Sequence, residues 1–225
     1  MLRISCRITR QPIGSRSAVL RRLMCDTRSP GDMRHVLSLL TGARTEELRA
    51  LAGSHVELAG QPDNDCPIPP SIQVWRSDRV GGDTKTRKSR RTLALPKRCV
   101  DTLHLHRAMQ DRDRERAGNR WAGTDLVFVS VMGDPLSAGA VRRAFKRVAA
   151  KAGLDPADWT PRELRHSFVS LLSDRGVSLE AIADLCGHSG TTVTEKVYRH
   201  QLRPILLGGA AAMDEIFRPG PWVTN

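Results

Sequence analysis

Aromatic residues are scarce in this chain of 225 residues, in which they make up 4% of the sequence and include a single tyrosine. The hydrophobic core must therefore be built mainly from Leu, Val, Ile and Ala, which the 40% hydrophobic content supplies in sufficient amount for a folded domain. The single tyrosine, Tyr198, also means that chemistry requiring a phenol has one available position.

Several other features are absent. The five cysteines are scattered and show no CxxC spacing, which argues against a disulfide framework or a zinc site and favours a reducing cytoplasm. His104 and His106 have no companion ligands nearby in the sequence, so we expect no metal and no cofactor. No apolar run approaches the roughly 20 residues of a membrane span, and we expect no membrane partner.

Acidic residues are in the minority. There are 36 Lys and Arg against 24 Asp and Glu, a formal charge of +12 and a sequence pI near 10.5. Such an excess attracts polyanions, which favours nucleic acid as the partner. The alternative is a basic surface that serves solubility alone.

Hydrophobic spacing predicts a mainly helical α+β fold with a small antiparallel hairpin. A short helix around Val19, Leu20 and Leu23 is a weaker prediction. The predicted strands cover residues 71–76 and 92–95. The predicted helices cover residues 33–40, 44–51, 98–116, 137–152, 162–175, 179–186, 191–198 and 204–217.

Two arginines stand at the start of the helix predicted after Thr160 and Pro161, which are a favourable helix cap and first position. Arg162 and Arg165 are three residues apart and should share one face of the first turn. Two cations there repel each other and oppose the helix dipole unless an anion is bound, and a phosphate fits both. A solvated pair of surface arginines is the alternative.

A helix end is predicted at Gly187, which exposes His188 ten residues before Tyr198. A histidine beside a glycine is more commonly structural than functional. The position of His188 between the arginine pair and the only tyrosine nevertheless favours a functional site.

Several segments together resemble the tyrosine recombinases of the phage-integrase type. Residues 164–168 (LRHSF), 185–189 (LCGHS) and 197–200 (VYRH) are similar to the second conserved region of that family. Residues 40–48 (LTGARTEEL) resemble its first region, TGxRxxEL, and residues 84–96 (TKTRKSRRTLALP) its hairpin. The resemblance runs from Val36 to Phe217 and implies the fold of the family's catalytic domain.

The resemblance also implies roles in phosphodiester exchange. Arg44 and Arg165 would hold the two non-bridging phosphate oxygens, and Tyr198 would attack the phosphorus to form a 3′-phosphotyrosine. Cations that neutralise the charge developing on the phosphate make a metal unnecessary.

Two further positions complete the implied catalytic set, and one departs from it. Lys85, in the turn of the hairpin, would protonate the departing 5′ hydroxyl, and His188 would hydrogen-bond the phosphate. The family usually has His or Lys where this chain has Arg162, which as a poor proton acceptor would serve as a cation.

Double-stranded DNA is the implied partner, bound by a monomer that assembles into a tetramer on DNA. In the family, an apolar tail like that of residues 205–217 packs on a neighbouring subunit. The expected DNA-contacting residues are basic and lie on the hairpin or on the helix at 137–152: Arg87, Lys88, Arg90, Arg91, Arg142, Arg143 and Lys146.

The implied organisation is a basic segment at residues 1–32, either disordered or a remnant, a catalytic domain at 33–218 and a tail at 219–225. Integrases usually carry a core-binding domain ahead of the catalytic one, so we expect a truncated copy without the clamp around DNA. Three functions follow: an active site-specific recombinase, a catalytically weak or inactive DNA-binding remnant and, with the least support, a type IB topoisomerase.

Overall fold

The fold is mainly helical with a small antiparallel sheet, as predicted. The computed structural model describes residues 19–24, 30–63, 67–75, 90–187 and 208–217. Residues 19–24 are helical, and no helix of these ranges is long and apolar enough to cross a bilayer. The other α-helices are α1 (Pro30–Thr41), α2 (Thr45–Arg49), α3 (Lys97–Ala117), α4 (Ala138–Lys151), α5 (Arg162–Asp174), α6 (Leu179–Cys186) and α7 (Gly208–Ile216).

Helix α1 is the centre of the domain and packs against α3, α4, α5 and α7. The predicted apolar positions are buried, among them Leu37 at 0% exposure. Polar residues on the remaining faces are buried too, because neighbouring helices surround α1. Two of them are satisfied locally: the Ser38 hydroxyl donates to the Ala43 carbonyl (3.0 Å), and the Thr41 hydroxyl donates to the Leu37 carbonyl (2.7 Å).

The folded domain includes residues that precede the predicted boundary at residue 33. The short helix at residues 19–24 is confirmed, and Leu20, Leu23 and Met24 are buried in the hydrophobic core. Helix α1 itself begins at Pro30. Apolar side chains on both sides of residue 33 therefore pack into one core.

The sheet has three strands in the order β1 (Val56–Glu57), β2 (Ser71–Val74) and β3 (Arg91–Ala94), all antiparallel. Strands β2 and β3 confirm the predicted pair, with Ile72 opposite Leu93 and Val74 opposite Arg91. Strand β1 was not predicted, since two residues are too few to show an alternating pattern.

The helix ends are set by local chemistry. Ser137 and Ser178 accept hydrogen bonds from backbone amides of α4 and α6, at 3.1 and 3.2 Å. The expected cap of α5 by Thr160 is wrong: the helix begins at Arg162 with Pro161 as its cap residue, and no side chain caps it.

Helix α7 packs on its own chain, against α1, α5, α6 and β3. Its apolar residues Met213 and Ile216, followed by Phe217, are at most 4% exposed. We expected the apolar side chains of residues 205–217 to pack on a neighbouring subunit. Those of residues 209–217 instead complete the core of their own domain.

Three basic side chains, those of Arg34, His35 and His106, lie inside the core where α1, α3 and α4 meet. The Arg34 guanidinium is 6.0 Å from the Phe128 ring, and the His35 ring is 5.1 Å from Phe145. His106 is also buried, and its Nε2 lies 2.7 Å from the Val127 carbonyl oxygen, with which it hydrogen-bonds. Burial, followed by the charge of Arg34, lowers the pKa of His35 to about 3, so this ring is neutral.

Candidate active site

The site begins at the turn between α1 and α2, where Gly42 has φ of +68°. A β-carbon at this position would lie 2.6 Å from Phe168 Cδ1, so both the dihedral angle and the space require glycine. The turn places Arg44 directly before α2, and its side chain remains 31% exposed. Arg44 therefore stands at the surface, with its backbone fixed from within.

Glu47 holds Arg44 at two points. One carboxylate oxygen accepts from the Arg44 backbone amide (2.7 Å), and the other accepts from its Nη1 (2.7 Å). A glutamate in the third position of a helix commonly reaches back in this way to the residue before the helix. The Glu47 side chain is 2% exposed, so the ion pair is anchored inside the domain.

Arg91, the first residue of β3, binds the same carboxylate. Its Nη1 and Nη2 donate to the two oxygens of Glu47 at 3.2 and 2.8 Å, and its side chain is 4% exposed. With Arg44, this gives Glu47 four hydrogen bonds, the number that a carboxylate can accept. Burial alone would raise the pKa of Glu47, but the charge and hydrogen bond of Arg91, together with Arg44, lower it to about 2.

Arg165, on the first turn of α5, is 7% exposed and bridges two backbone carbonyls. Its Nη1 donates to Gly42 at 2.6 Å, and its Nη2 donates to Cys186. Within the described residues these bonds use two of its five N–H donors. Burial and the charges of Arg44 and Arg91 lower the pKa of Arg165 to about 10, although the nearby Cys186 acts in the opposite direction; the guanidinium is therefore charged at neutral pH.

The C-terminus of α6 meets two arginines. Arg91 Nε donates to the Leu185 carbonyl at 2.7 Å, and Arg165 binds the next carbonyl, that of Cys186. Carbonyls at a helix end lack partners within the helix and carry partial negative charge, which these cations satisfy. Gly187 then ends the helix in the left-handed conformation, with φ of 60°, as predicted.

These contacts join Arg44, Glu47, Arg91 and Arg165 into one group, named below the arginine cluster. Three arginines and one glutamate carry two net positive charges. Arg44 at the surface and Arg165 at the floor are thus brought together from residues 121 positions apart in the sequence. An anion that presents a pair of oxygens on one atom, such as the two non-bridging oxygens of a phosphodiester, suits this arrangement.

Other predicted site residues lie elsewhere. Arg162 is exposed at the start of α5, and in the part of the chain that the structure describes it makes no ion pair with the arginine cluster. Arg91 is not the exposed DNA contact that we expected, because it is the buried partner of Glu47. Five expected positions fall outside the described residues: Lys85, Arg87, Lys88, His188 and Tyr198.

A second basic region is exposed on α4. Arg142, Arg143 and Lys146 are exposed, whereas Val141 and Phe145 of the same helix are buried at 1% and 0%. This alternation gives α4 one apolar face on the core and one cationic face in solvent. Arg90, directly before β3, is partly exposed.

Sequence reasoning missed the role of Glu47. The signal was present, because a glutamate three residues after Arg44 at a helix start has the spacing of a residue that reaches back to the preceding amide. In the described ranges there is also no group of three or more His, Cys, Asp and Glu residues that could hold a metal.

The chain is similar in sequence to known proteins. The sequence profile of the phage integrase family matches residues 21–203. An integrase of Streptomyces ambofaciens is 62% identical over 187 residues, which are 83% of this chain and 48% of that protein. A XerC-like tyrosine recombinase of Caldanaerobacter subterraneus subsp. tengcongensis is 25% identical over 136 residues, 59% of this chain and 34% of the other. The chain thus spans about half the length, or less, of these relatives.

Solved structures share the fold. The Tn1549 transposon integrase in complex with transposon right end DNA has a TM-score of 0.57 at 20% identity, covering 91% of this chain and 64% of the other. The XerA recombinase has a TM-score of 0.55 at 22% identity, covering 93% and 63%. At these identities the likeness establishes the fold and nothing further.

Proposed function

Because the chain belongs to the phage integrase family of tyrosine recombinases, we propose that it cleaves and rejoins DNA strands through a covalent bond to Tyr198. The observation that carries the proposal is the arginine cluster, in which Arg44 is near enough to Arg165 for its charge to add to burial in lowering the pKa of Arg165, although the two are 121 residues apart in the sequence. The planar forks of two guanidiniums suit the two non-bridging oxygens of a phosphodiester.

The proposed reaction needs no external energy. Tyr198 gives up its phenol proton to water, its oxygen attacks phosphorus, the bond from phosphorus to the 5′ oxygen breaks, and the 3′ phosphate becomes linked to tyrosine. Lys85 gives a proton to the departing 5′ oxygen, and His188 hydrogen-bonds the phosphate. Attack by a new 5′ hydroxyl reverses these steps and releases Tyr198, so the energy of the first bond is retained in the phosphotyrosine.

The arginine cluster lowers the barrier to this reaction through charge. Negative charge accumulates on the non-bridging oxygens in the transition state, and Arg44 and Arg165 are held in place before the reaction begins. Fixed donors in a largely buried setting need little reorganisation, and water weakens them less than it weakens exposed cations. Arg162, exposed at the start of α5, adds a further cation at longer range.

Double-stranded DNA is the proposed substrate. The cationic face of α4 and the partly exposed Arg90 supply contacts to the DNA backbone, with Arg87 and Lys88 of the hairpin as further contacts. The integrase and XerH structures with the same fold contain DNA, which supports this assignment. Backbone contacts of this kind make binding weaken steeply as salt rises.

Assembly is proposed to depend on DNA, with a monomer in solution and a tetramer on the substrate. The apolar side chains of α7 are buried in their own domain, so they leave no apolar patch that would associate in solution. A location in a reducing cytoplasm is proposed, and the thiols of Cys99 and Cys186, which form no disulfide, are consistent with it.

Covalent capture tests the proposed function. Wild-type protein and Tyr198→Phe are incubated with supercoiled plasmid in EDTA and stopped with SDS. We expect a protein–DNA adduct, or relaxed plasmid, with wild type alone. If both proteins bind DNA equally and neither forms an adduct, the protein is a DNA-binding remnant of an integrase and the enzymatic proposal is wrong.

A further inference from the structure

Arg91 occupies a position that neither a DNA contact nor an ordinary sheet residue requires. It is the first residue of β3, yet its guanidinium turns inward and is 4% exposed. Three of its nitrogens donate hydrogen bonds, two to Glu47 and one to Leu185. These partners lie 44 residues earlier and 94 residues later in the chain.

Each partner leads to a residue of the proposed reaction. Glu47 binds the backbone amide and the Nη1 of Arg44, so the carboxylate that Arg91 orients also orients Arg44. Leu185 is three residues before His188, and its carbonyl stands beside that of Cys186, which Arg165 binds. In the sequence, Arg91 also follows Lys85 by six residues.

We propose that Arg91 is a positioning residue for strand cleavage, which sets Arg44 through Glu47 and fixes the end of α6 from which the chain continues to His188. The inference rests on the proposed function and deepens it. Arg91 makes no contact with the DNA in this role.

The chemistry of the contacts favours a guanidinium at position 91. A planar fork can donate two parallel bonds to Glu47 while its Nε donates to Leu185, all from one rigid group. Lysine carries the same charge as a single point and cannot reach three oxygens in this geometry. Arg91→Lys therefore keeps the charge and removes the alignment.

The test measures single-turnover cleavage at saturating DNA, DNA affinity across salt concentrations, and thermal unfolding. For Arg91→Lys we expect a cleavage rate about tenfold lower, with affinity and its salt dependence unchanged. Arg142→Met, on the exposed face of α4, is the comparison variant for a DNA contact, in which affinity and its salt dependence both fall. If Arg91→Lys instead loses affinity and salt dependence as Arg142→Met does, Arg91 is a DNA contact and the proposal is overturned.

A paired variant separates positioning from structural support. Arg91→Met leaves Glu47 buried with one partner fewer and should lower the unfolding temperature, whereas Arg91→Met with Glu47→Met removes both charges and should regain stability. Cleavage should stay about a hundredfold below wild type in the paired variant, because Arg44 has lost its anchor. Recovery of cleavage together with stability would overturn the proposal.

The Arg44 Nε–H resonance provides a readout that does not depend on cleavage. It is assigned with Arg44→Lys and followed by NMR relaxation in wild type and in Arg91→Lys, which keeps Glu47 in place. We expect a marked increase in Arg44 side-chain motion, and unchanged motion would overturn the positioning role. If wild type forms no adduct, the proposed function fails while this measurement still decides the role of Arg91.

Discussion

The arginine cluster and the cationic face of α4 place the same kind of side chain in opposite environments. In the cluster, each guanidinium has assigned partners: Arg44 and Arg91 share Glu47, and Arg165 binds two backbone carbonyls. On α4, Arg142 and Arg143 extend into solvent. The cluster offers fixed geometry and the helix face offers charge, which suits the first to chemistry and the second to attraction of DNA.

The largest effect is expected on the cleavage rate when Arg165 of the arginine cluster is replaced. Arg165→Lys keeps a cation but loses the fork that spans Gly42 and Cys186, and we expect the cleavage rate to fall roughly a hundredfold to a thousandfold. Affinity for DNA should change little. Single-turnover cleavage of wild type and Arg165→Lys at saturating DNA checks this. A rate within twofold of wild type would show that the cluster contributes charge alone, as α4 does.

The next largest difference is expected in the free energy of unfolding, which should depend on the arginine cluster more than on the cationic face of α4. Glu47→Gln removes the charge that balances Arg44 and Arg91, and leaving Arg91 buried without an anion should cost about 3 to 5 kcal/mol of unfolding free energy. Arg142→Gln should change that free energy by less than about 0.5 kcal/mol. Urea denaturation of both variants measures the contrast. Equal stabilities would show that Glu47 contributes little to the fold.

Acid should lower the free energy of unfolding through the buried groups His35 and Glu47, whereas the exposed arginines of α4 keep their charge. The pKa of His35 is lowered from 6.5 to about 3, so the unfolded chain binds a proton there before the folded one does, and stability decreases as pH falls from 6.5 towards 3. The pKa of Glu47 is lowered from 4.5 to about 2, and its contribution is likewise lost as pH falls through that interval.

Replacing His35 should flatten the upper part of this pH dependence. We expect His35→Phe to reduce the loss of unfolding free energy between pH 6.5 and 4 by about 1 to 3 kcal/mol. His104→Phe, an exposed histidine on α3, is the control and should leave the curve as in wild type. Denaturation at several pH values measures both. A curve unchanged by His35→Phe would show that other groups carry the acid sensitivity.

The smallest effects are expected on α4. Arg142→Gln and Arg143→Gln should each reduce the slope of log affinity against log salt by about 1, whatever the DNA sequence, because each releases about one phosphate contact. Fluorescence anisotropy at several salt concentrations measures the slope. A loss confined to one DNA sequence would assign these residues to base recognition instead.

The same contrast explains what the sequence could predict. Helix α6 is bounded by Ser178 and Gly187, both local signals, and its predicted range was confirmed residue for residue. The cationic face of α4 could be predicted because apolar residues recur along this helix with the helical period of 3.6 residues. Arg44 and Arg165 were found through short motifs, and their placement in the cluster agrees with the roles implied for them, which stay predictions.

Long-range pairing accounts for the errors. Arg91 ends a basic run and looks like part of a solvated hairpin, and only its pairing with Glu47, 44 residues earlier, turns it inward. Strand β1 exists because Val56 meets Ile72, and two residues have no periodicity of their own. Residues 19–24 join the core through partners that the basic composition around them does not indicate.

Gly42 shows how a position without a side chain can carry a site. Its carbonyl accepts the hydrogen bond of Arg165, its backbone sets the place of Arg44, and any β-carbon would collide with Phe168. In a scan of every substitution along the chain, position 42 would therefore score like a catalytic residue. None of the nineteen alternatives, alanine included, should be tolerated there, although glycine has no side chain that could take part in the chemistry.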